Sequence, residues 1–324
     1  MNTIRLALLF TASAFMVWCS SNAIAQSKDS PYPNRAIRFI VPHTPGGLAD
    51  TFARNLAQHL TSRLGRPVVV ENRPGASQAI GAELAAKSPP DGYTIFLGTQ
   101  ASLVLNTITQ KSLPYNAIRD FAPISLLFTN TLYLMVHQSV PVQSVQELVA
   151  LARANPGKLS YASIGVGTSS HLAMELFKNT MNIDILHVPY KGNAQVTTDL
   201  LAGHVDMAFG LSALSSGKLR VLAYAGQKRT EAMPNLPTMS ESGVPGFNVT
   251  SWFGLLAPAG VPRPIIERLN HETGLMLQVR ATRERAAAEG LELTHSTPEE
   301  FEERIRSEIP YWSKVLRDTG IQPQ

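Results

Sequence analysis

Ala36-Ile37-Arg38-Phe39-Ile40-Val41-Pro42-His43-Thr44-Pro45-Gly46-Gly47-Leu48-Ala49-Asp50 is the stretch on which the fold turns. Residues 36–41 are a short apolar run that reads as a strand. Leu48, Phe52, Leu56, Leu60 and Leu64 then recur every four residues, along one side of a helix that Gly65 stops. Residues 67–71 read as the next strand, 80–86 as a helix, Pro89-Pro90-Asp91-Gly92 as a turn and 93–97 as a third strand. Such an alternation of strand and helix implies a mainly parallel sheet with helices on both sides.

A second cycle follows. Residues 124–128 and 132–136 read as short strands, and Ser144 with Glu147 three residues on is a capping box for a helix over 145–153, which Asn155-Pro156-Gly157 ends. Strands over 159–163, 184–188 and 205–209 alternate with helices over 169–181 and 194–201, a second βαβαβ series. After a strand over 219–225 the proline-rich chain reads as irregular, before two charged helices over 265–289, with a break, and 298–318. No tandem repeat or low-complexity linker separates the halves. They are expected to join through segments near 123–127 and 233–249, which permits a hinge.

The N-terminus is apolar from Leu6 to Val17 behind Arg5, and Ala23-Ile24-Ala25 precedes Gln26, which together predict a secretory signal peptide cleaved near Ala25 and an exported protein. That run falls short of the ~20 apolar residues a bilayer of about 30 Å requires. Cys19, the only cysteine, leaves with the leader, so disulfides and thiol nucleophiles are not expected. Roughly 300 residues remain, and at about 100–200 residues per domain they favour two domains. With 44% apolar, 16% charged and 7% aromatic residues the composition is that of a globular protein. Removing Arg5 takes the net charge from +4 to +3, far from the clustered basic stripe of a nucleic-acid binder.

Two turns carry the candidate chemistry. Thr44, Pro45, Gly46, Gly47 and Asp50 sit where a strand hands over to a helix, a place suited to a carboxylate or phosphate because backbone N–H groups converge there and the helix end carries about half a positive charge. The plainer reading is a tight turn with Asp50 as a first-turn acid. Ser163, Gly165, Gly167, Thr168 and His171 repeat the device in the second half. A dinucleotide fingerprint does not fit there, since Ser170 stands where the third glycine of GxGxxG belongs. For His171 the competing reading is a helix-end hydrogen bond, because a cationic imidazole is disfavoured at a positive dipole end. Gly98-Thr99-Gln100-Ala101-Ser102, with Thr99 and Ser102 as candidates, adds a polar loop at a strand's carboxyl end, where open α/β sheets bind ligands. GxSxG, HExxH and Walker sequences are absent, the histidines lack metal-ligand spacing, and no metal or cofactor is expected. Ser215-Ser216-Gly217-Lys218 matches SxxK but lacks a KTG partner and reads as a turn.

In order, Tyr32-Pro33, Ile40-Val41-Pro42, Gly46-Gly47 with Asp50, Val68-Val69-Val70-Glu71-Asn72-Arg73-Pro74-Gly75-Ala76, Pro90-Asp91-Gly92-Tyr93-Thr94, His171-Leu172, His187-Val188-Pro189-Tyr190-Lys191-Gly192 and Trp252-Phe253-Gly254-Leu255-Leu256-Ala257-Pro258-Ala259-Gly260 resemble the substrate-binding receptors of tripartite tricarboxylate transporters, the Bug-type periplasmic receptors. The resemblance spans nearly the whole mature chain. It implies a type II periplasmic-binding-protein fold: two α/β lobes with a hinge and a cleft, residues 26–124 plus 246–324 forming one and 125–245 the other after a signal peptide of residues 1–25. It further implies a periplasmic location and a small organic carboxylate gripped by the turns at 44–47 and 165–168, without catalysis, by a monomer serving membrane transporter subunits. Thr99 to Ser102 and the chain after Phe209 would meet the variable part of the ligand. Departures from the family pattern lie at His43-Thr44-Pro45, at Ser77-Gln78 in place of Gly-Gly, at Gly210 where many relatives have Asp, and in a segment after Phe209 shorter by about five residues than is usual in the family. Gly210 argues against an amino-acid ligand.

The other readings are a secreted serine hydrolase using Ser163 or Ser170 with His171, and a sensor that passes its liganded form to a signalling protein. Ser170 and His171, adjacent on a helix, point about 100° apart, which opposes their pairing as nucleophile and base.

Overall fold

Strand β1 (Ile37–Val41) buries every residue except Arg38, which is half-buried, and leads into α1 (Leu48–Leu64), whose inner side carries Ala49, Phe52, Leu56, Leu60 and Leu64 before Gly65 ends it. β2 (Val68–Asn72), α2 (Ala79–Ala86) and β3 (Thr94–Thr99) complete the first cycle as the periodicity predicts. The computed structural model describes residues 32–190, 192–210, 217–230 and 233–319. The leader with Cys19, Lys191, and Ser215-Ser216 with the short segment after Phe209 lie outside the described residues.

The first sheet is mixed rather than mainly parallel. β1 runs parallel to β2 and β3, but β10 (Thr250–Pro258), in the stretch that reads as irregular, inserts between β3 and β4 (Phe121–Thr131) antiparallel to both. With the two-residue β11 (Glu292–Leu293) the order is β11-β4-β10-β3-β1-β2. β10 buries residues of both parities from Gly254 to Pro258, so it lacks the alternation that marks a half-buried strand. Gly254 is required by close approach: an added Cβ would lie 2.2 Å from Cζ of Phe301, whose ring meets Trp252 edge-on.

The second sheet takes its strands from residues 133–224, in the order β7-β6-β8-β5-β9. β6 (Ser160–Ser163), β7 (Leu186–Pro189) and β8 (Met207–Gly210) are parallel, while β5 (Tyr133–His137) is antiparallel to β8 and to β9 (Leu219–Tyr224). The molecule is thus two α/β lobes. The outgoing crossing falls at Leu132, not near 123–127, because β4 runs on for 11 residues before β5 begins. Ala225 stitches the crossings together, donating its N–H to the Leu132 carbonyl at 2.8 Å and accepting from Val249 at 2.9 Å.

Helices cover the sheets. A π-helical turn, Ala101–Leu105, and α3 (Asn106–Thr109) replace the polar loop read after β3. α4 (Val145–Ala154), α5 (Ser169–Met181) and α6 (Asn193–Ala202) serve the second sheet, and α7 (Arg263–Gln278) and α8 (Arg280–Ala288) meet at a break at Val279 before α9 (Pro298–Thr319). The capping box forms: Ser144 Oγ accepts the Glu147 N–H at 3.2 Å, and Glu147 Oε2 accepts the Gln143 N–H at 2.7 Å. Ser144→Ala is expected to cost about 1 kcal/mol. A denaturant midpoint unchanged by the substitution would contradict that cap.

Candidate functional site

The carboxyl end of β1 delivers the chain to a bend held from behind. Gly46, at φ +84°, donates its N–H to Asp50 Oδ2 at 2.9 Å, the same oxygen accepts Arg54 Nε at 2.9 Å, and Asn72 Nδ2 donates to Asp50 Oδ1 at 2.8 Å and to the His43 carbonyl at 3.0 Å. Burial alone would raise the Asp50 pKa, but the bonds from Arg54, Gly46 and Asn72 and the Arg54 charge outweigh it and hold the carboxyl at about 2. Asp50 is only 2% exposed. It therefore stands behind the bend as an anchor rather than at its surface, and the Gly46 N–H is directed inward. What the bend leaves outward is Thr44, Pro45 and Gly47, all exposed, and the start of α1. Gly47 caps that helix without a side-chain acceptor, so the first-turn amides have no partner within their own helix or from its cap.

An added Cβ at Gly46 meets nothing within 4 Å, which leaves the left-handed backbone as the only obstacle. Gly46→Ala is accordingly expected to lose about 1–2 kcal/mol. An unshifted thermal midpoint would show that the bend does not hold this conformation.

The second bend follows β6 and is braced in the same manner. Gly165 donates to Ser163 Oγ at 3.2 Å, Gly167 to His171 Nδ1 at 3.2 Å and Ile164 to Ser170 Oγ at 3.3 Å. Thr168 Oγ1 donates to the Gly165 carbonyl at 2.6 Å. α5 is entered from Thr168 with no side-chain cap, so a second uncapped helix start lies at the carboxyl end of a parallel strand. Gly167 (φ +76°) lies against α3 of the other lobe: a Cβ there would stand 3.6 Å from Thr109 Cγ2. This contact brings the carboxyl edge of the second sheet onto the element that follows β3 in the first.

Beneath this bend two imidazoles meet at a tilt of 32°. His171 and His187 have centroids 4.3 Å apart, and Tyr161 lies 4.7 Å from His187. Burial, and then the neighbouring His187, push the His171 pKa down to about 4; burial also lowers that of His187. His171 is thus neutral at pH 7, with Nδ1 free to accept the Gly167 N–H and Nε2 carrying the proton. Ser163 Oγ lies 2.7 Å from His187 Nε2, a pairing that a separation of 24 positions conceals in the sequence. It is no exposed nucleophile: Ser163 is wholly buried, and its hydroxyl also bonds the Gly165 N–H and carbonyl. Ser170 too is buried and spent on the bend.

Thr99 and Ser102 lie inward. Ser102 Oγ accepts the Thr99 N–H at 3.0 Å, Thr99 Oγ1 accepts the Ser102 N–H at 3.1 Å, and Tyr115 closes on the Ser102 carbonyl. Their outward neighbour is Gln78, whose Oε1 accepts the Thr99 hydroxyl. Gly210 ends β8 on the same edge as Ser163, with Met135 Cε 2.7 Å from where its Cβ would be. A cavity of about 450 Å³ lies elsewhere, lined by residues such as Ser144, Leu222, Leu236 and Glu241 and by none of these candidates. Among the described residues there is no group of three or more metal-ligating side chains, and no helix is long and apolar enough to cross a membrane.

The sequence model of the tripartite tricarboxylate transporter family receptor matches residues 52–321. The chain is 38% identical over 297 residues to protein BugT of Bordetella pertussis, covering 90% of this chain and 91% of that one. Its fold is similar to that of an R. palustris protein solved with adipate, at a TM-score of 0.80 and 34% identity over 91% of this chain and 100% of the other. It is also similar to MatC of Rhodopseudomonas palustris with bound malate, at 0.75 and 28% over 88% and 100%.

Proposed function

The chain belongs to the tripartite tricarboxylate transporter receptor family, and on that premise we propose that it is an exported receptor whose two lobes close on one small organic carboxylate. In this reading residues 1–25 are removed on export, the first lobe takes in all of β4 and resumes at β10, so that the boundaries expected at 124/125 and 245/246 move to Leu132 and to about Val249, and the loaded monomer docks on the membrane subunits of a tripartite transporter. The chemistry is recognition alone.

One observation carries the reading. Two helix starts, α1 and α5, each lack a side-chain cap and each follow a bend in which glycine amides, that of Gly46 in the first and those of Gly165 and Gly167 in the second, are tied back into the protein. A helix start presents unpaired N–H groups and about half a positive charge, so a pair of them converging on a dehydrated gap favours a carboxylate without any arginine or metal. Bracing from behind fixes the donors before the ligand arrives, which reduces the ordering cost of binding. The R. palustris proteins solved with adipate and with malate support this ligand class. Thr44, Pro45, Gly47, Thr168 and the first turns of α1 and α5 would meet the carboxylate, with Gly46, Asp50, Ser163, Gly165, Gly167 and His171 holding them in place. Thr99 and Ser102 would support the part of the pocket facing the rest of the ligand, and Gly210 would border it.

A thermal-shift series on the chain from Gln26 onward, against mono-, di- and aromatic carboxylates, tests the proposal. At a hundred times Kd a bound ligand should add about 2.7 kcal/mol of stability. Silence across the panel would count against it.

A further inference from the structure

Between β2 and α2 the backbone does something costly. Ala76, Ser77 and Gln78 take φ of +46°, +50° and +77° in succession, a left-handed run in which side-chain-bearing residues are disfavoured and glycine is not. Strain of this kind persists where the surroundings over-determine it, and it clusters at ligand sites. Here the surroundings are visible: Asn106 Nδ2 donates to the Ser77 carbonyl at 2.8 Å, the Gln78 N–H bonds the Gly75 carbonyl at 2.8 Å, and the Thr99 hydroxyl donates to Gln78 Oε1.

The position matters as much as the strain. β1 lies between β2 and β3 in the sheet, so a segment that leaves the end of β2 and bonds the end of β3 passes across the carboxyl end of β1, where the first bend begins. The orientation of the amide follows from its partner. Thr99 Oγ1 takes the Ser102 N–H at 3.1 Å, and Ser102 Oγ is itself engaged by the Thr99 N–H at 3.0 Å and carbonyl at 3.2 Å, leaving only a long 3.3 Å approach to it from the Thr99 hydroxyl. The Thr99 proton therefore goes to Gln78 Oε1, and the Gln78 NH2 group, with its two donors, faces away from the strand end.

We propose that Gln78 is the residue that selects the ligand's second charged group, its NH2 donating to a distal carboxylate while the helix starts hold the proximal one, so that this receptor prefers dicarboxylates to monocarboxylates of equal length. The inference rests on the carboxylate-receptor reading above and adds to it a specificity residue on a left-handed backbone that glycine would occupy more cheaply.

Matched acids test it by calorimetric titration: succinate with butyrate, adipate with hexanoate, phthalate with benzoate, against the wild-type chain, Gln78→Gly and Gln78→Glu. Gln78→Gly accepts the left-handed conformation without penalty, so its thermal midpoint should be equal or higher. Its affinity for the preferred diacid should fall about tenfold or more while that for the matched monoacid stays within about twofold, as expected for one lost hydrogen bond to a charged group. Gln78→Glu, which puts a negative charge where the donors were, should weaken the diacid further. A diacid and monoacid that weaken together, a Gln78→Glu chain that keeps its diacid affinity, or a wild type that binds both members of each pair equally would overturn this inference and leave the receptor reading standing. A wild type that binds no acid in the panel would overturn both.

Discussion

Acidifying the protein from pH 6.5 towards pH 4 is expected to remove about 3 kcal/mol of stability through His171 alone, and ligand affinity with it. The folded chain holds this imidazole neutral to about pH 4, against 6.5 for an unburied histidine, because burial and then the adjacent His187 oppose its charge. Glu175 pulls the other way and Lys178 adds to the lowering; the two are paired at 2.7 Å, and Glu175 also takes the Tyr161 hydroxyl at 2.6 Å. Between pH 6.5 and 4 the unfolded chain therefore binds the proton that the folded chain refuses, and stability falls as pH falls. Protonation also removes the acceptor for the Gly167 N–H, which unties the second bend. Urea midpoints at pH 7, 6, 5 and 4 should show the slope in the wild type and a smaller one in His171→Gln, where His187, also lowered by burial, still contributes. A wild-type profile flat across this interval would refute the buried neutral imidazole.

Asp50→Ala is the other large effect. One nearly inaccessible carboxylate collects bonds from Gly46, Arg54 and Asn72, and hydrogen bonds to a charged group contribute about 1.5–3 kcal/mol each without adding fully. A loss of about 2–4 kcal/mol is expected. Arg54 can return to water, but the Gly46 N–H and the Asn72 amide lose the partner that shapes the bend, so carboxylate affinity should drop about tenfold or more. Titration gives a second check. With its carboxyl at about 2 rather than 3.8, Asp50 stabilises the fold by about 2 kcal/mol above pH 4, a contribution lost as pH falls from 3.8 towards 2. That window lies below the one for His171, so the two anchors are separable by pH. An Asp50→Ala chain within about 0.5 kcal/mol of wild type and with unchanged Kd would mean that the bend holds itself.

The elements legible in the sequence are those whose cause is local. α1 was readable from five leucine or phenylalanine positions at a spacing of four and from Gly65, α5 from its run between Thr168 and Asn182, and the cap of α4 from Ser144 and Glu147. β10 was not, because a strand buried on both sides carries no alternation and its antiparallel insertion between β3 and β4 is decided by residues more than a hundred positions away. Within the site, the glycines of both bends were visible but the destination of their amides was not. Asp50 reads as a first-turn acid in sequence, and only the arrival of Asn72 and Arg54 makes it an anchor. The Ser163–His187 and Thr99–Gln78 pairs join residues 24 and 21 positions apart, and nothing in a local pattern announces them.

The central claim is that both bends bind one carboxylate. Backbone amide resonances of the 15N-labelled chain, followed while the tightest acid of the panel is added, address it directly. Leu48 and Ala49 at the start of α1 and Ser169 and Ser170 at the start of α5 should shift together along a single isotherm with one Kd. Shifts confined to one helix start, or two sets titrating with different affinities, would contradict it.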